Sequence, residues 1–168
     1  MHNISDEKVF FLADTHFGSE KIFHYENRPF ETVEQMNESI VNNRNDTVSE
    51  NDIVWFLWDL GDNSFFSKLN WKKYLVKWNH ESEDNEYYRK LWFIEVYDMP
   101  VILDNFWILS HEPLYVNANM PYANIFAHVH LDPKYKTVSE QSFCVSCDRI
   151  WFKPISFAEI KAEINDQK

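Results

Sequence analysis

Short groups of metal-ligand residue types recur along this chain, each at or just after the end of an apolar run that predicts a β-strand. Five of the seven histidines belong to these groups, and only His2 and His24 lie outside them. Because a sheet can bring the ends of distant strands to one rim, the pattern predicts that these side chains converge. The groups are Asp14-Thr15-His16, Asp59, Asn79-His80, His111 and His128-Val129-His130.

Two of these groups place ligand types two residues apart. Asp14 and His16 form one pair, and His128 and His130 form the other. Residues at i and i+2 of an extended segment project to the same side. Each pair can therefore share one metal ion.

The remaining groups supply further oxygen and nitrogen donors. Asp59 has two carboxylate oxygens and can bridge two ions, Asn79 offers a carbonyl oxygen, and His111 adds an imidazole. Mixed donors without a thiolate suit Mn, Fe, Zn or Ni rather than a structural zinc. Two such ions clamp the attacking and leaving oxygens of an in-line displacement and make a bound water nucleophilic near neutral pH.

Length, composition and charge limit the class of protein. The 168 residues, of which 45% are hydrophobic and 17% aromatic, predict one globular domain spanning 1–168. A net charge of -11 argues against strong affinity for nucleic acid. Neither a membrane-length apolar run nor a signal-like N-terminal segment is present, so we expect a cytoplasmic protein that does not bind membranes. Its oligomeric state is left open.

The order of the elements predicts an α/β sandwich with mixed sheets, because strands alternate with helices early and follow one another later. Residues 15–30 are predicted to form a long loop. Two capping boxes are indicated, by Thr32 with Gln35 and by Ser156 with Glu159. Strands are predicted at 9–14, 52–59, 73–78, 93–97, 101–103, 106–110, 124–128, 142–150 and 152–155, and helices at 33–44, 64–69, 85–91 and 156–165.

Cys144 and Cys147 form a lone C-x-x-C pair. Such a pair is typical of a redox site or of half a zinc site. On the predicted strand 142–150, however, residues at i and i+3 point to opposite faces. The strand therefore favours a structural role for both thiols.

The ordered groups resemble the motifs of the calcineurin-like metallophosphoesterases, in particular the small bacterial and phage type. That family carries D-x-H, G-D, G-N-H-D/E, H and G-H-x-H in this order. The likeness covers nearly the whole chain, and the segments NRPF at 27–30 and VEQM at 33–36 share it. The matching segments are LADTHFG at 12–18, WD at 58–59, WNHE at 78–81, LSHEP at 109–113 and AHVH at 127–130.

The resemblance implies a four-layer α/β/β/α sandwich with two mixed sheets. It also implies a dinuclear-metal-dependent phosphoesterase that hydrolyses a phosphate mono- or diester by attack of a metal-bound hydroxide. The substrate would be a small phosphoester, with nucleotides among the candidates. Asp14, His16, Asp59 and His130 would hold the first divalent ion, and Asp59, Asn79, His111 and His128 would hold the second.

Two further residues receive roles that do not involve the metal. The resemblance implies that His80 faces the phosphoryl group, where it would protonate the leaving oxygen or stabilise charge in the transition state. Arg28 is a candidate for contacting the substrate phosphate. The alternative for Arg28 is an ordinary surface arginine.

Two other functions are compatible with part of this pattern. A catalytically impaired interaction module on the same fold is the first, but such proteins lose ligands or the catalytic histidine, and this chain keeps them. A metallo-β-lactamase-type hydrolase is the second, because residues 128–132 give H-x-H-x-D. Pro133 stands where that family needs histidine, and the motif falls late in the chain, so this function is disfavoured.

The chain departs from the family pattern at several glycine positions. The family has glycine before the bridging aspartate and before the Asn-His pair, where this chain has Trp58 and Trp78, and Ala127 replaces the glycine of the last motif. The chain has two glycines and seven tryptophans, whereas a typical content of ~7% would give about a dozen glycines. Glycine is also common in the family at Trp71 and Trp92, and sometimes at Trp151.

One hypothesis gives these substitutions a common cause. UGA codons that the source organism reads as glycine, translated as tryptophan, would produce tryptophan at 58, 71, 78, 92 and 151. Trp55 and Trp107 lie in apolar strands, where an aromatic residue is natural, so UGG is expected there. The alternative is drift in a divergent phosphoesterase. In either case an indole beside a metal ligand would crowd the site, and we expect the chain as written to bind metal poorly.

Overall fold

Two five-stranded sheets form the β structure of residues 8–78 and 83–167, which are the residues that this computed structural model describes. In the first sheet, four strands run parallel and the last strand pairs antiparallel at the edge. Its order is β10-β1-β2-β3-β4. The strands are β1 (Val9–Leu12), β2 (Ile53–Phe56), β3 (Lys72–Val76), β4 (Phe93–Tyr97) and β10 (Ile155–Ser156).

The second sheet is also mixed. Its three central strands are parallel, and antiparallel strands pair at both edges, in the order β5-β6-β7-β9-β8. Its strands are β5 (Val101–Leu103), β6 (Trp107–Leu109), β7 (Ala123–Phe126), β8 (Val138–Ser139) and β9 (Ser142–Cys144). The helices are α1 (Glu20–Tyr25), α2 (Val33–Thr47), α3 (Asn85–Lys90) and α4 (Phe157–Asn165), with a 3₁₀ helix at Asn63–Lys68.

The larger hydrophobic cluster of the described residues joins the two sheets. Every residue of β1 and of β2 is buried, which is typical of parallel strands covered on both faces. Phe11 and Val54 of the first sheet belong to the same buried cluster as Leu109 and Ile125 of the second. The predicted mixed α/β architecture with two mixed sheets is therefore confirmed.

The parallel strands determine where the predicted ligands lie. The carboxyl ends of parallel strands lie at the same edge of a sheet, so the segments that follow β1 and β2 are neighbours. A backbone bridge between Ala13 and Ser146 joins this edge to the segment that follows β9. The corresponding edges of the two sheets therefore meet just beyond β1.

Three predicted elements are wrong in extent, and one short strand was missed. Residues 15–30 are not loop throughout, because α1 forms there with the Ser19 hydroxyl as its N-cap. The predicted strand 142–150 ends at Cys144, since the following residues turn, and Phe152 donates a hydrogen bond to the Cys147 carbonyl. The predicted strand 152–155 is shorter and later, as β10, and the two-residue strand β8 was not predicted.

Helix capping follows the sequence closely at one helix and partly at another. At α4, Ser156 accepts from the Glu159 amide, and the Glu159 carboxylate accepts from the Ser156 amide, so the capping box is confirmed. At α2, Thr32 accepts from the Gln35 amide, but the Gln35 side chain accepts from the amide of Glu31 instead. The capping box of Thr32 and Gln35 is thus only half formed.

The cysteine pair has no sign of redox or metal chemistry. Cys144 and Cys147 are both free and buried. Burial raises the pKa of the Cys144 thiol to about 12 and raises that of Cys147 well above its ordinary value. Both thiols therefore stay protonated near neutral pH, as a structural role requires.

None of the helices within the described ranges combines the length and the hydropathy that a bilayer crossing demands.

Replacing Ser156 by alanine should lower the free energy of unfolding by about 1 kcal/mol, because the capping box of α4 would be lost. The effect should appear as a lower midpoint in urea denaturation followed by circular dichroism. S49A is the matched control, since Ser49 is exposed and its hydroxyl makes no hydrogen bond within the described chain. Equal midpoints for S156A and S49A would contradict the capping role.

The same variant should show a pH dependence. Hydrogen bonds from Ser156 hold the pKa of Glu159 below its ordinary value in the folded protein. Because the pKa of Glu159 is lower in the folded protein than in the unfolded chain, its ionised carboxylate stabilises the folded protein at pH values above the unfolded-state pKa. This stabilisation is lost as the pH falls through the folded-state pKa. The gap between wild type and S156A should therefore narrow in acid.

Candidate metal centre

Asp14 occupies the centre of the site. It lies two residues after the end of β1, is fully buried and has a φ of 54°. One carboxylate oxygen accepts from the Asp59 amide at 3.3 Å, and the other accepts from the His128 amide at 2.9 Å. Its own amide donates to the Trp58 carbonyl at 2.7 Å. Backbone groups from two other loops therefore fix the position of this carboxylate.

The loops that follow β1 and β2 run side by side. The amide of His16 donates to the Asp59 carbonyl at 3.2 Å, and that of Phe17 donates to the Leu60 carbonyl at 3.0 Å. The contact requires glycine at Gly61, where a Cβ would lie 2.2 Å from the Phe17 nitrogen. This backbone pairing places the His16 and Asp59 side chains next to each other, with 3.8 Å between His16 Nε2 and Asp59 Oδ2.

Three predicted ligands converge into a group that can hold a metal ion. One ligand atom each from Asp14, His16 and His130 lie within 4.8 Å of one another. The two imidazoles stack with their centroids 5.1 Å apart, and their Nε2 atoms are separated by 3.3 Å. A carboxylate with two imidazoles matches the donor set of Mn, Fe, Zn or Ni, so these residues fit such a cation.

A second pair of imidazoles lies beside the first group. His111 Nδ1 is 2.9 Å from the Leu57 carbonyl, which only accepts, so this nitrogen carries the proton. His111 Nε2 is then left with a lone pair, 2.9 Å from Nδ1 of His128. His111 Nδ1 also lies 3.9 Å from an oxygen of Asp14. Both donor groups therefore adjoin the same buried carboxylate.

The electrostatics keep two of the imidazoles neutral, as metal ligands must be. Burial lowers the pKa of His16 to about 4. Burial also lowers the pKa of His111, against the raising influence of Asp14. For His130, burial alone would lower the pKa, but the hydrogen bond to Asp148 and the nearby negative charges outweigh it and raise the pKa overall.

Asp148 is a site residue that the sequence did not reveal. Its Oδ2 accepts from His130 Nδ1 at 2.7 Å, which leaves His130 Nε2 facing His16. The carboxylate is buried, with a side chain 1% exposed. A carboxylate that binds the far nitrogen of a ligating histidine fixes the ring and its tautomer. Asp148 therefore orients His130.

Arg28 occupies a different place from the one predicted. Its side chain is 0% exposed and pairs with both oxygens of Asp148 at 2.9 Å. Its remaining donors reach the carbonyls of Asp14 and Thr15, at 2.7 and 2.9 Å, and the sulfur of Met36. The guanidinium has no donor left for a substrate phosphate. Arg28 instead holds Asp148 and the loop after β1 in place.

A sequence signal for Asp148 existed but was masked by the strand prediction. Asp148 and Arg149 are adjacent charged residues within the segment assigned to one long strand. Such a pair is more typical of a loop beyond a strand end. Arg149 also contacts the site, since its Nε donates to the His130 carbonyl and its NH2 group donates to the Asp132 carbonyl at 2.8 Å.

Two predicted site residues, Asn79 and His80, lie outside the described residues. Their neighbour Trp78 is described, and its ring centroid lies 5.4 Å from that of His111 and 5.2 Å from that of His128. The indole therefore occupies space beside the second imidazole pair, as expected from the sequence.

A cavity of about 350 Å³ opens beside the first ligand group, with His16, Asp59 and Glu83 among the residues that line it. A larger cavity of about 920 Å³ lies against α4, and none of the predicted ligands that the structure describes lines it. Of these two cavities, the smaller one is lined by candidate ligands.

Comparison with known proteins places the fold but not an activity. No family model matches the chain. An uncharacterized protein of Methanocaldococcus jannaschii is 26% identical over 165 residues, covering 91% of this chain and 89% of that protein. The crystal structure of a protein of unknown function from Aquifex aeolicus has a TM-score of 0.67 at 22% identity, covering 94% of this chain and 99% of that one. This chain therefore shares the fold of the Aquifex protein.

Replacing Asp148 by asparagine should weaken Mn²⁺ binding about 10–100-fold, because His130 would lose the carboxylate that orients its ring. Isothermal titration calorimetry on folded protein measures the effect. D104N is the matched control, since Asp104 lies in an exposed turn with a φ of 51° that asparagine also tolerates. A folded D148N protein that binds Mn²⁺ as tightly as D104N would contradict the positioning role.

Proposed function

We propose that this protein is a dinuclear-metal-dependent phosphoesterase that hydrolyses a phosphate mono- or diester. The observation that carries the proposal is the convergence of Asp14, His16 and His130 within 4.8 Å at the carboxyl ends of parallel strands. These residues come from the first and last of the ordered motifs. Their meeting is what the resemblance to the calcineurin-like phosphoesterases requires.

The second imidazole pair supports two cations rather than one. The His111 ring lies 3.9 Å from one oxygen of Asp14, and the backbone amide of His128 donates to the other oxygen. Asp59 adjoins His16 and is one-third exposed towards the cavity. In this proposal Asp59 would belong to both ligand sets, and Asn79 would complete the second set.

The residues of the chain would divide the work as follows. Two bound divalent cations would activate a water molecule and neutralise charge on the phosphoryl group. His80 would donate a proton to the leaving oxygen, which remains a prediction because it lies outside the described residues. Asp148 and Arg28 would hold His130 and the loop after β1 rigid, so that the ligands are preorganised.

The finer description of the fold belongs to this proposal. A four-layer α/β/β/α sandwich places a metal pair where the edges of its two sheets meet. The two mixed sheets, their shared core and the bridge between Ala13 and Ser146 support that arrangement.

The rival function is an interaction module on the same fold, and one observation favours it. The Trp78 ring stands against His111 and His128, where a second cation would need room. An interaction module of this kind would not turn over a phosphoester, whether or not it binds metal. Turnover therefore distinguishes the two functions.

Hydrolysis of p-nitrophenyl phosphate and bis-p-nitrophenyl phosphate should depend on added Mn²⁺, Ni²⁺, Zn²⁺ or Fe²⁺. The D14N variant should lose both bound metal and activity, because the central carboxylate would become a neutral amide. H24A is the matched control, since His24 is exposed and lies outside the ligand groups. The chain as written and the W58G/W78G double variant should be assayed together. Full metal occupancy without turnover in both proteins would favour the interaction module.

The H80A variant should lose about 10²–10⁴-fold in turnover while its metal content stays unchanged, because the residue is proposed to transfer a proton and not to bind a cation. Metal analysis by mass spectrometry and steady-state kinetics measure the two quantities separately. Loss of metal in H80A would show that His80 is a ligand and would contradict its assigned role.

A further inference from the structure

Four of the seven tryptophans have a backbone conformation that is normal for glycine. Positive φ is a rare state for a bulky residue, because its Cβ then crowds the neighbouring carbonyl. The φ angles are 51° at Trp58, 67° at Trp71, 70° at Trp92 and 57° at Trp151. The two residues written as glycine, Gly18 and Gly61, also have positive φ, at 74° and 85°.

We propose that the residue at positions 58, 71, 92 and 151 is glycine in the protein that its source organism makes. The codon would be UGA, which signals stop in the standard code and is assigned to tryptophan or to glycine in others. The inference rests on backbone geometry and is independent of the proposed phosphoesterase function.

Two of the positions match a known glycine site at the end of a helical turn. Trp92 directly follows Leu91, the C-cap of α3, and its amide donates to the Arg89 carbonyl at 3.1 Å. Trp151 precedes Phe152, whose amide closes a turn onto the Cys147 carbonyl five residues back at 3.0 Å. A left-handed residue at this place is usually glycine, because it has no Cβ penalty.

The side chains of three of these tryptophans are exposed and, among the described residues, make no ring contact that would compensate for the backbone strain. Trp71, Trp92 and Trp151 are 44%, 74% and 82% exposed. None of them makes an aromatic or cation-π contact within the described part of the chain. Phe152 also has positive φ, at 57°, but it is buried and packs against Phe30 with ring centroids 4.9 Å apart. This packing compensates for the left-handed backbone strain at Phe152, whereas the three tryptophans have no such ring packing with any described residue.

Trp58 is buried but poorly satisfied. Its indole nitrogen is among the buried polar atoms that find no hydrogen-bond partner within the described residues. A buried tryptophan usually finds a partner for this N–H group. Glycine at 58 would remove both the left-handed strain and the orphaned donor, directly before Asp59.

Trp55 and Trp107 behave as genuine tryptophans. Trp55 lies in β2 and stacks with Tyr74 and Tyr97 at 4.9 and 5.7 Å. Trp107 lies in β6 and packs edge-on against Phe157 at 5.2 Å. Neither has positive φ. Trp78 also lacks positive φ, so the backbone does not extend the inference to position 78.

The codons of the gene provide the first test. We expect TGA at 58, 71, 92 and 151 and TGG at 55 and 107. TGG at the first four positions, or TGA at 55 and 107 as well, would overturn the inference. Tryptic peptides of the protein isolated from its source should then carry the mass of glycine at these positions, and tryptophan masses there would also overturn it.

Thermal stability provides a test that needs no source organism. W71G, W92G and W151G should each raise the Tm by about 2–4 °C, because each relieves left-handed strain at an exposed side chain. W55G and W107G are the matched controls and should lower the Tm by roughly 6 °C or more, because packed aromatic contacts are lost. If the three variants lower the Tm as the controls do, tryptophan is the native residue.

Discussion

The rest of the site depends on one buried carboxylate, that of Asp14. A carboxylate removed from water is costly unless hydrogen bonds and opposite charge surround it. Asp14 receives backbone amides of Asp59 and His128, and these fix its geometry. Asp148 adds a second buried carboxylate, whereas Arg28 supplies one positive charge to the pair. The excess of negative charge is what a divalent cation would neutralise.

Some residues of this site are candidate ligands, and others, here called supports, only hold the ligands in place. The candidate ligands His16, His111 and His128 come from loops at strand ends, where hydrogen bonds to Asp59, Leu57 and Asp14 fix their positions. His130 differs, because Asp148 binds its ring and Arg149 binds its carbonyl. The supports lie in one turn after β9, and Arg28 ties that turn to the loop after β1. A small chain can thus hold several loops rigid with three charged side chains.

Much of this was readable in the sequence because local signals and tertiary structure agree. The buried runs of β1 and β2 and the Ser156 cap all form as predicted. The convergence of Asp14, His16 and His130 also follows from strand ends alone. The role of Arg28 did not emerge, because a contact across 120 residues leaves no local pattern, and Asp148 was missed because the strand predicted over 142–150 included it. The strand predicted across 142–150 was wrong in extent, because the apolar residues that suggested a strand continue into a turn.

The span of the Arg28–Asp148 ion pair has a consequence for biosynthesis. The two residues are 120 positions apart, and the facing imidazoles of His16 and His130 are 114 apart. A nascent chain therefore exposes its first ligands on the ribosome long before their partners and supports emerge. A cation could therefore be bound only once nearly all of the polypeptide has been synthesised. Until the turn after β9 has docked, the loops near the N-terminus would remain without metal.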